Sequence, residues 1–444
     1  MFESLLVANR GEIARRVLRT ARALGLRTVA VYSEADAGLP HVREADEAIL
    51  LGAAPPAESY LDGAKVIEAA RQAGAAALHP GYGFLSENAE FARAVAAAGI
   101  VWVGPPPEAI ERMGDKINAR NLMADAGVPV ARGTREPVAD LDGALAAAEA
   151  IGYPVMVKAA GGGGGIGMSV ATDATALRAA FEGARTRAER FFGNPAILLE
   201  RYLPRARHVE VQLLGLADGR VVALGERDCS VQRRHQKVAE ETPSPGVGEV
   251  LRQRMLDAAV RAGEAVRYRG AGTVECLVDP EEQDFVFLEM NTRLQVEHPV
   301  TEMVTGLDLV AAQLRVAAGE EVELPAAEPA GHAIELRVYA EDPVRFLPSP
   351  GVISVWEEPA GEGVRVDAGY AEGCTVTPYY DPLLAKLIVH AADRPHALAR
   401  ARAAVAEFRI EGLKTNLPFF VELLANPEFV TGDYDTRLVE RMRA

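Results

Sequence analysis

Between Glu289 and Glu297 every second residue is polar: Glu289, Asn291, Arg293, Gln295 and Glu297 alternate with Met290, Thr292, Leu294 and Val296. An extended segment lines such residues up on one face. Two carboxylates, two amides and a guanidinium would then share a surface suited to anion or metal chemistry. An amphipathic strand with its polar side in water has the same pattern, so the neighbouring segment matters. Gly272 to Val278 is an apolar run with a single acid, Glu275, and the turn-like Asp279-Pro280-Glu281-Glu282-Gln283-Asp284 separates it from Phe285 to Asn291. Glu275 and Glu289 lie equally far from Glu282. A hairpin of that register sets the two carboxylates opposite one another, which is unfavourable unless a cation lies between them. Magnesium suits such oxygen ligands and fills its remaining positions with water and substrate phosphates. The hairpin therefore predicts a nucleotide held through a divalent ion, and a slip of one residue in register would undo it.

These residues need a scaffold, and the first hundred positions supply its outline. Short apolar runs at Leu5 to Ala8, Thr28 to Tyr32, Ala48 to Leu51, Ala75 to His79 and Val101 to Val103 read as strands, with helical spacing between them, as in Ile13, Val17, Ala21 and Leu24. That alternation predicts a parallel sheet covered on both faces. His79 to Asn88, HPGYGFLSEN, is a loop at the carboxyl end of a strand, where ligands of open parallel sheets sit. Asn9-Arg10-Gly11 leads into a helix whose amino end suits an anion, though a plain tight turn explains it equally well.

Further along, apolar Pro154 to Val157, Lys158, the run Gly161 to Gly165 and a second apolar strip, Met168 to Ala171, read as a hairpin flap. Its side-chain-free backbone would lie against phosphates, with Lys158 as counter-charge. Gly162, Gly164 and Gly167 have the spacing of a dinucleotide fingerprint, but a strand rather than a helix follows them. No GxxxxGK[ST], HRD or DFG sequence occurs, which excludes a phosphate-binding P-loop and a protein kinase. His208, Glu210 and Gln212 share one face of an alternating strand, as do Glu335, Arg337 and Tyr339. Arg337 is either a surface residue with a buried stem or a fixed charge aimed into a cleft. The densest basic run, Arg227 to Lys237, carries Arg227, Arg233, Arg234, His235 and Lys237 and is the candidate triphosphate cluster.

A chain of 444 residues predicts about three domains at ~150 residues each. Lys plus Arg number 47 against 63 Asp plus Glu, a net charge of −16, which argues against a nucleic-acid partner. Cys229, Cys276 and Cys374 are scattered without metal spacing and read as packing residues. The start lacks a signal peptide's charge and apolar core, and no apolar run is long enough to cross a bilayer. A cytoplasmic location is expected.

HPGYGFLSEN at 79–88, MGDK at 113–116, KAAGGGGGIGM at 158–168, RDCSVQRRHQK at 227–237, EMNTRLQVEHPVTE at 289–302 and PYYDPLLAKL at 378–387 together resemble biotin carboxylase, a member of the ATP-grasp superfamily, over essentially the whole chain. The resemblance implies a mixed α/β and α+β multidomain fold. Its parts are a Rossmann-like amino-terminal domain (1–113), an ATP-grasp core (114–321) with a glycine-rich lid (131–203), and a carboxyl-terminal domain (332–444). It implies that ATP and bicarbonate form carboxyphosphate, whose CO₂ passes to biotin on a carrier protein, the first half-reaction of an acyl-CoA carboxylase. By the same resemblance ATP is held by Lys116, Lys158, Gly163, Gly164, Gly165, Glu200, Arg201 and Leu203, and by His208, Gln232, His235, Leu277, Glu275 and Glu289. Glu275, Glu289 and Asn291 hold magnesium, or manganese in its place. Lys237, Arg293, Gln295 and Val296 bind bicarbonate, Glu297 removes its proton, and Arg337 steadies the biotin enolate. Lys237, Arg293, Glu297 and Arg337 are thus the expected catalytic residues. Expected partners are a biotin carboxyl carrier, a carboxyltransferase and a second copy of the chain.

Two lid positions depart from the family pattern, Ile166 and Ser169, where basic residues are usual. Loss of those charges predicts weakened ATP affinity, and Ile166→Arg should lower the Michaelis constant for ATP; an unchanged or higher constant rejects this. No AMKM-like attachment lysine occurs, so the biotin is expected on another polypeptide or region. Two other readings stay open: a different ATP-grasp ligase that activates a carboxylate as an acyl phosphate, and a catalytically silent nucleotide-binding protein.

Overall fold

The computed structural model describes residues 1–159, 168–192, 195–324 and 329–444. The glycine run, with Gly163, Gly164, Gly165 and Ile166, lies outside these residues, as does part of the proline-bearing stretch that begins near Val322. The amino-terminal sheet is wholly parallel, built from β1 (Ser4–Val7), β2 (Arg27–Ser33), β3 (Glu47–Gly52), β4 (Ala77–His79) and β5 (Val101–Trp102) in the order β3-β2-β1-β4-β5. Its order reverses at β1 and β4, so the loops after those strands flank a switch-point crevice. Helix α1 (Gly11–Ala23) buries Ile13, Val17 and Ala21 against this sheet. The turn into α1 places Gly11 at φ +62°, a left-handed backbone that glycine adopts without a Cβ penalty. Beside it Asn9 Nδ2 donates to Pro80 O (2.8 Å) and Tyr82 O (2.7 Å), tying the HPGYGFLSEN loop to the first turn.

A small antiparallel sheet of β6 (Val155–Ala159), β7 (Met168–Ala171) and β8 (Ile197–Arg201) forms the flap, with Lys158 opposite Met168 and Leu198. The main sheet has eight strands. It starts with β9 (Arg207–Gly215), β10 (Val221–Arg233), β11 (Gln236–Thr242), β12 (Gly270–Asp279) and β13 (Asp284–Asn291), in the order β13-β12-β9-β10-β11. It runs on without a break into β14 (His332–Tyr339) and the strands Leu383–Ala391 and Val364–Ala368. Val209, Val211, Val274 and Cys276 face the Glu249–Ala265 helix in one core, while the alternate residues of β9 and β12 carry the polar groups.

Glu275 pairs with Glu289 across the β12–β13 hairpin, by a route other than a symmetric turn about Glu282. From the turn outward Asp279 pairs with Asp284 and Cys276 with Phe287, a register that would set Leu288 against Glu275; a bulge next to Glu275 shifts it and brings Glu289 across. The extended face is also shorter than the alternation predicts. β13 ends at Asn291, Arg293 and Gln295 lie in irregular chain, and Glu297 stands at the head of the His298–Thr305 helix.

Candidate active site

A cleft of about 1750 Å³ opens between the amino-terminal sheet, the flap and the main sheet. Its floor is a row of register partners: Arg227 on β10 faces Glu210 on β9, which faces Glu275 on β12, which faces Glu289 on β13. Three carboxylates side by side would repel. The relief comes from Lys237 on β11, whose Nζ donates to Glu210 (2.6 Å), Glu275 (2.7 Å) and Glu297 (2.7 Å). Arg227 closes the other end of the row, donating to Glu210 (2.7 Å), Gln212 (2.7 Å) and Thr301 (2.9 Å) with no exposed surface. Of the basic run, Arg227 and Lys237 are therefore committed to buried acids, and Arg233 pairs with Glu341 at 2.6 Å. Only Arg234 and His235 stand exposed, at the β10–β11 turn, so the run is not one triphosphate patch.

Glu297 is fully buried yet ionised. Burial raises a carboxyl, but Lys237, Arg337 and Arg227 together hold this one well below the ordinary carboxylate range. Its second oxygen accepts from Arg337 Nη2 at 3.0 Å. Arg337 is itself buried, so it is not the surface residue of the simpler reading. Glu275 is also held low: burial opposes ionisation, and Lys237 and His208 override it, His208 from 2.8 Å. Gln232 contacts the other nitrogen of His208 at 2.7 Å, so these two predicted nucleotide residues lie side by side.

The irregular segment after β13 is held from several sides. Gln295 Nε2 donates to Glu275 (3.0 Å), and Arg293 Nη2 donates to Asn291 Oδ1 (3.0 Å). Lys386 Nζ donates to Val296 O at 2.9 Å and pairs with buried Glu12 at 3.1 Å. Glu87, from the HPGYGFLSEN loop, accepts from Arg293 Nε (2.8 Å) and from the Thr292 amide (3.1 Å). One carboxylate of the amino-terminal part thus orients the arginine expected to bind bicarbonate. Glu87→Ala should raise KM for bicarbonate roughly fivefold, about one hydrogen bond's worth of ~1 kcal/mol, with KM for ATP unchanged. An unaltered bicarbonate KM in steady-state assays removes that role.

The remaining predicted residues also line the cleft. Lys116 pairs with Glu289 at 3.3 Å, and Lys158 pairs with Glu200. Arg201 turns its guanidinium back onto Tyr153 O and its amide donates to Arg132 O, while Leu203 and Leu277 add apolar wall to the cleft. For a metal the donors are hard oxygens: Glu289 faces the cleft half exposed, Glu275 borders it, and Asn291 offers its Oδ1, which accepts from Arg293. That set fits magnesium, provided Lys116 gives up Glu289 to an incoming phosphate.

Residues 1–110 match the biotin carboxylase N-terminal domain, 115–325 the ATP binding domain of the carbamoyl-phosphate synthase L chain, and 335–441 the biotin carboxylase C-terminal domain. The biotin carboxylase of Halalkalibacterium halodurans is 54% identical over 444 residues, covering 99% of this chain and 97% of that one. The chain belongs to the biotin carboxylase family. Biotin carboxylase 2 of Bacillus subtilis is 50% identical over 443 residues, covering 99% of this chain and 100% of that one. The biotin carboxylase domain dimer of Hydrogenobacter thermophilus 2-oxoglutarate carboxylase, solved with MgADP, ADP and bicarbonate, superposes with a TM-score of 0.94 at 43% identity, covering 99% and 98% of the two chains. Membership makes the chain an ATP-dependent ligase, with the expected ATP-grasp architecture.

Sequence reasoning assigned no role to Glu87, Glu12, Lys386 or Glu210 and read Arg227 as part of a triphosphate cluster, whereas all five hold expected site residues in place. Glu210 had a signal, its alternation with His208 and Gln212. Glu87 and Lys386 lie inside quoted motifs, but only tertiary packing brings them to Arg293 and Val296.

Proposed function

We propose that this biotin carboxylase uses ATP and bicarbonate to carboxylate biotin on a carrier protein or domain, as the first half-reaction of an acyl-CoA carboxylase acting on acetyl-CoA, propionyl-CoA or a similar thioester. The observation that carries the reading is the fully buried Glu297, wedged between Lys237 and Arg337 just behind the cleft-lining Gln295 and Val296. Glu297 takes the proton of bicarbonate, while Arg293, Gln295 and the Val296 backbone orient that planar anion for attack on the γ-phosphorus. Lys116 and Lys158 exchange their carboxylate partners for phosphates, and Lys237 swings toward the transferred phosphoryl group. Withdrawing Lys237 also strengthens Glu297 as a base, because the ammonium is the first of the charges holding its carboxyl low. Magnesium, held by Glu275, Glu289 and Asn291, supplies charge neutralisation on the phosphates. Carboxyphosphate then splits into CO₂ and phosphate, the released phosphate takes the proton of the ureido nitrogen, Arg337 faces the resulting enolate oxygen of biotin, and the nitrogen bonds to CO₂.

Residues 1–113, 114–321 and 332–444 serve as the three working parts, with 131–203 as the lid. The partners are a carrier, a carboxyltransferase that selects the acceptor, and a second copy of the chain. Among the described residues no helix is long and apolar enough to cross a membrane, in keeping with the cytoplasm as its place.

Phosphate release with free biotin, with bicarbonate and biotin each omitted in turn, tests the proposal. Release should need bicarbonate and rise with biotin. Release indifferent to both, or driven by another carboxylate, overturns it in favour of a different ATP-grasp ligase.

A further inference from the structure

Glu240 on β11 and Glu335 on β14 are direct register partners, and both are buried, with at most 1% exposure. Among the described residues neither oxygen of Glu335 nor Glu240 Oε2 has a hydrogen-bond partner. Among the described residues the cation in contact is Arg337, whose Nη2 lies 2.5 Å from Glu240 Oε1 and 3.0 Å from Glu297 Oε2, so a single NH₂ group faces two acids. Two opposed buried carboxylates with so little compensation disfavour a second negative charge, so a proton on the pair is the expected state.

We propose that Glu335 is a positioning residue: it holds a proton jointly with Glu240, and that proton keeps Arg337 shared with Glu297 and available to the cleft instead of drawn onto Glu240. The other charges facing the pair leave room for it. Lys237 on β11 is bound to three other carboxylates, and Lys386 on the neighbouring strand to Glu12 and Val296 O. Arg227 on β10 is bound to Glu210. At the head of the helix packed over these strands, Glu297 adds negative charge, while His298 is held neutral by burial and by Lys386; Glu302 is tied to Arg16 and Arg365. Burial drives both carboxyls up, Glu240 to about 7 and Glu335 well above the usual range. As pH rises through that region the pair loses its proton, the dyad carries two charges, and Arg337 is drawn toward Glu240.

The proton itself is independent of the function proposed above; its effect on turnover rests on Arg337 serving biotin. A glutamine at position 335 supplies permanently the N–H that the shared proton supplies as O–H. Glu335→Gln should therefore remove one protonated-carboxyl C=O band from the infrared difference spectrum taken across neutral pH. In biotin-dependent phosphate release it should move the alkaline limb of kcat upward by at least one pH unit, with the rate at neutral pH kept within about threefold. Glu240→Gln should flatten the same limb. An infrared spectrum with no lost band overturns the shared proton. A lost band with an unmoved limb overturns the link to Arg337, and bicarbonate-independent phosphate release in the unaltered enzyme would instead overturn the functional reading.

Discussion

Glu297→Gln should lower bicarbonate-dependent phosphate release by about 10²- to 10⁴-fold, the span of a positioned general base. The amide keeps the volume, but its single oxygen can accept from only one of Lys237 and Arg337, which now reach separate oxygens, and it cannot take a proton. Nucleotide binding should survive, because Lys116, Lys158, Glu200 and His208 lie outside this contact. Isothermal titration with MgADP alongside single-turnover assays separates the two properties. Activity retained within tenfold would assign the base elsewhere, and lost nucleotide binding would make Glu297 structural.

The second large effect is expected at Lys237. Its ammonium contacts three carboxylates, so Lys237→Gln leaves Glu210, Glu275 and Glu297 facing one another with Arg227 and Arg337 as the nearby guanidinium groups. Removing one partner of a buried ionic cluster costs about 3–5 kcal/mol, and losing a donor to the transferred group should cut kcat by roughly 10²- to 10³-fold. The pH dependence has a definite sign. In the parent, Glu275 and Glu297 are held below their unfolded values, so their contribution is present above the ordinary carboxylate range and is lost only in strong acid. Without Lys237 those carboxyls rise above their unfolded values. The variant then binds protons when folded that it lacks unfolded, and it loses stability as pH increases. The melting-temperature gap between parent and variant should widen from about pH 5.5 to about pH 8. A gap that stays constant would show the lysine is not the counter-ion of these acids.

The hairpin that pairs Glu275 with Glu289 could be read from alternation and turn residues, because both depend on local chemistry and a period of two. The bulge that corrects its register could not, since it shows only when the strand pairs are counted from the turn. The five-position polar face was half right. Glu289 and Asn291 lie on β13, whereas Arg293 and Gln295 reach the cleft through irregular chain fixed by Glu87, Glu275 and Lys386, and Glu297 is buried behind them. The basic run misled for a related reason: sequence shows where charge is dense but not which charges are already neutralised by Glu210 or Glu341 across the sheet. The parallel sheet of the first hundred residues was plain because each of its strands is a compact apolar run between helical spacings.

β11 and β14 are joined by four successive register pairs from Ala239–Leu336 to Thr242–Ala333, so no hinge separates the nucleotide floor from the strand that carries Arg337. The small β7-β6-β8 sheet lies outside this continuous sheet and is joined to the floor next to the point where the Pro129 carbonyl accepts from the Phe287 amide (2.7 Å). The geometry between the floor carboxylates and Arg337 is thus built at folding and does not have to be assembled in each catalytic cycle.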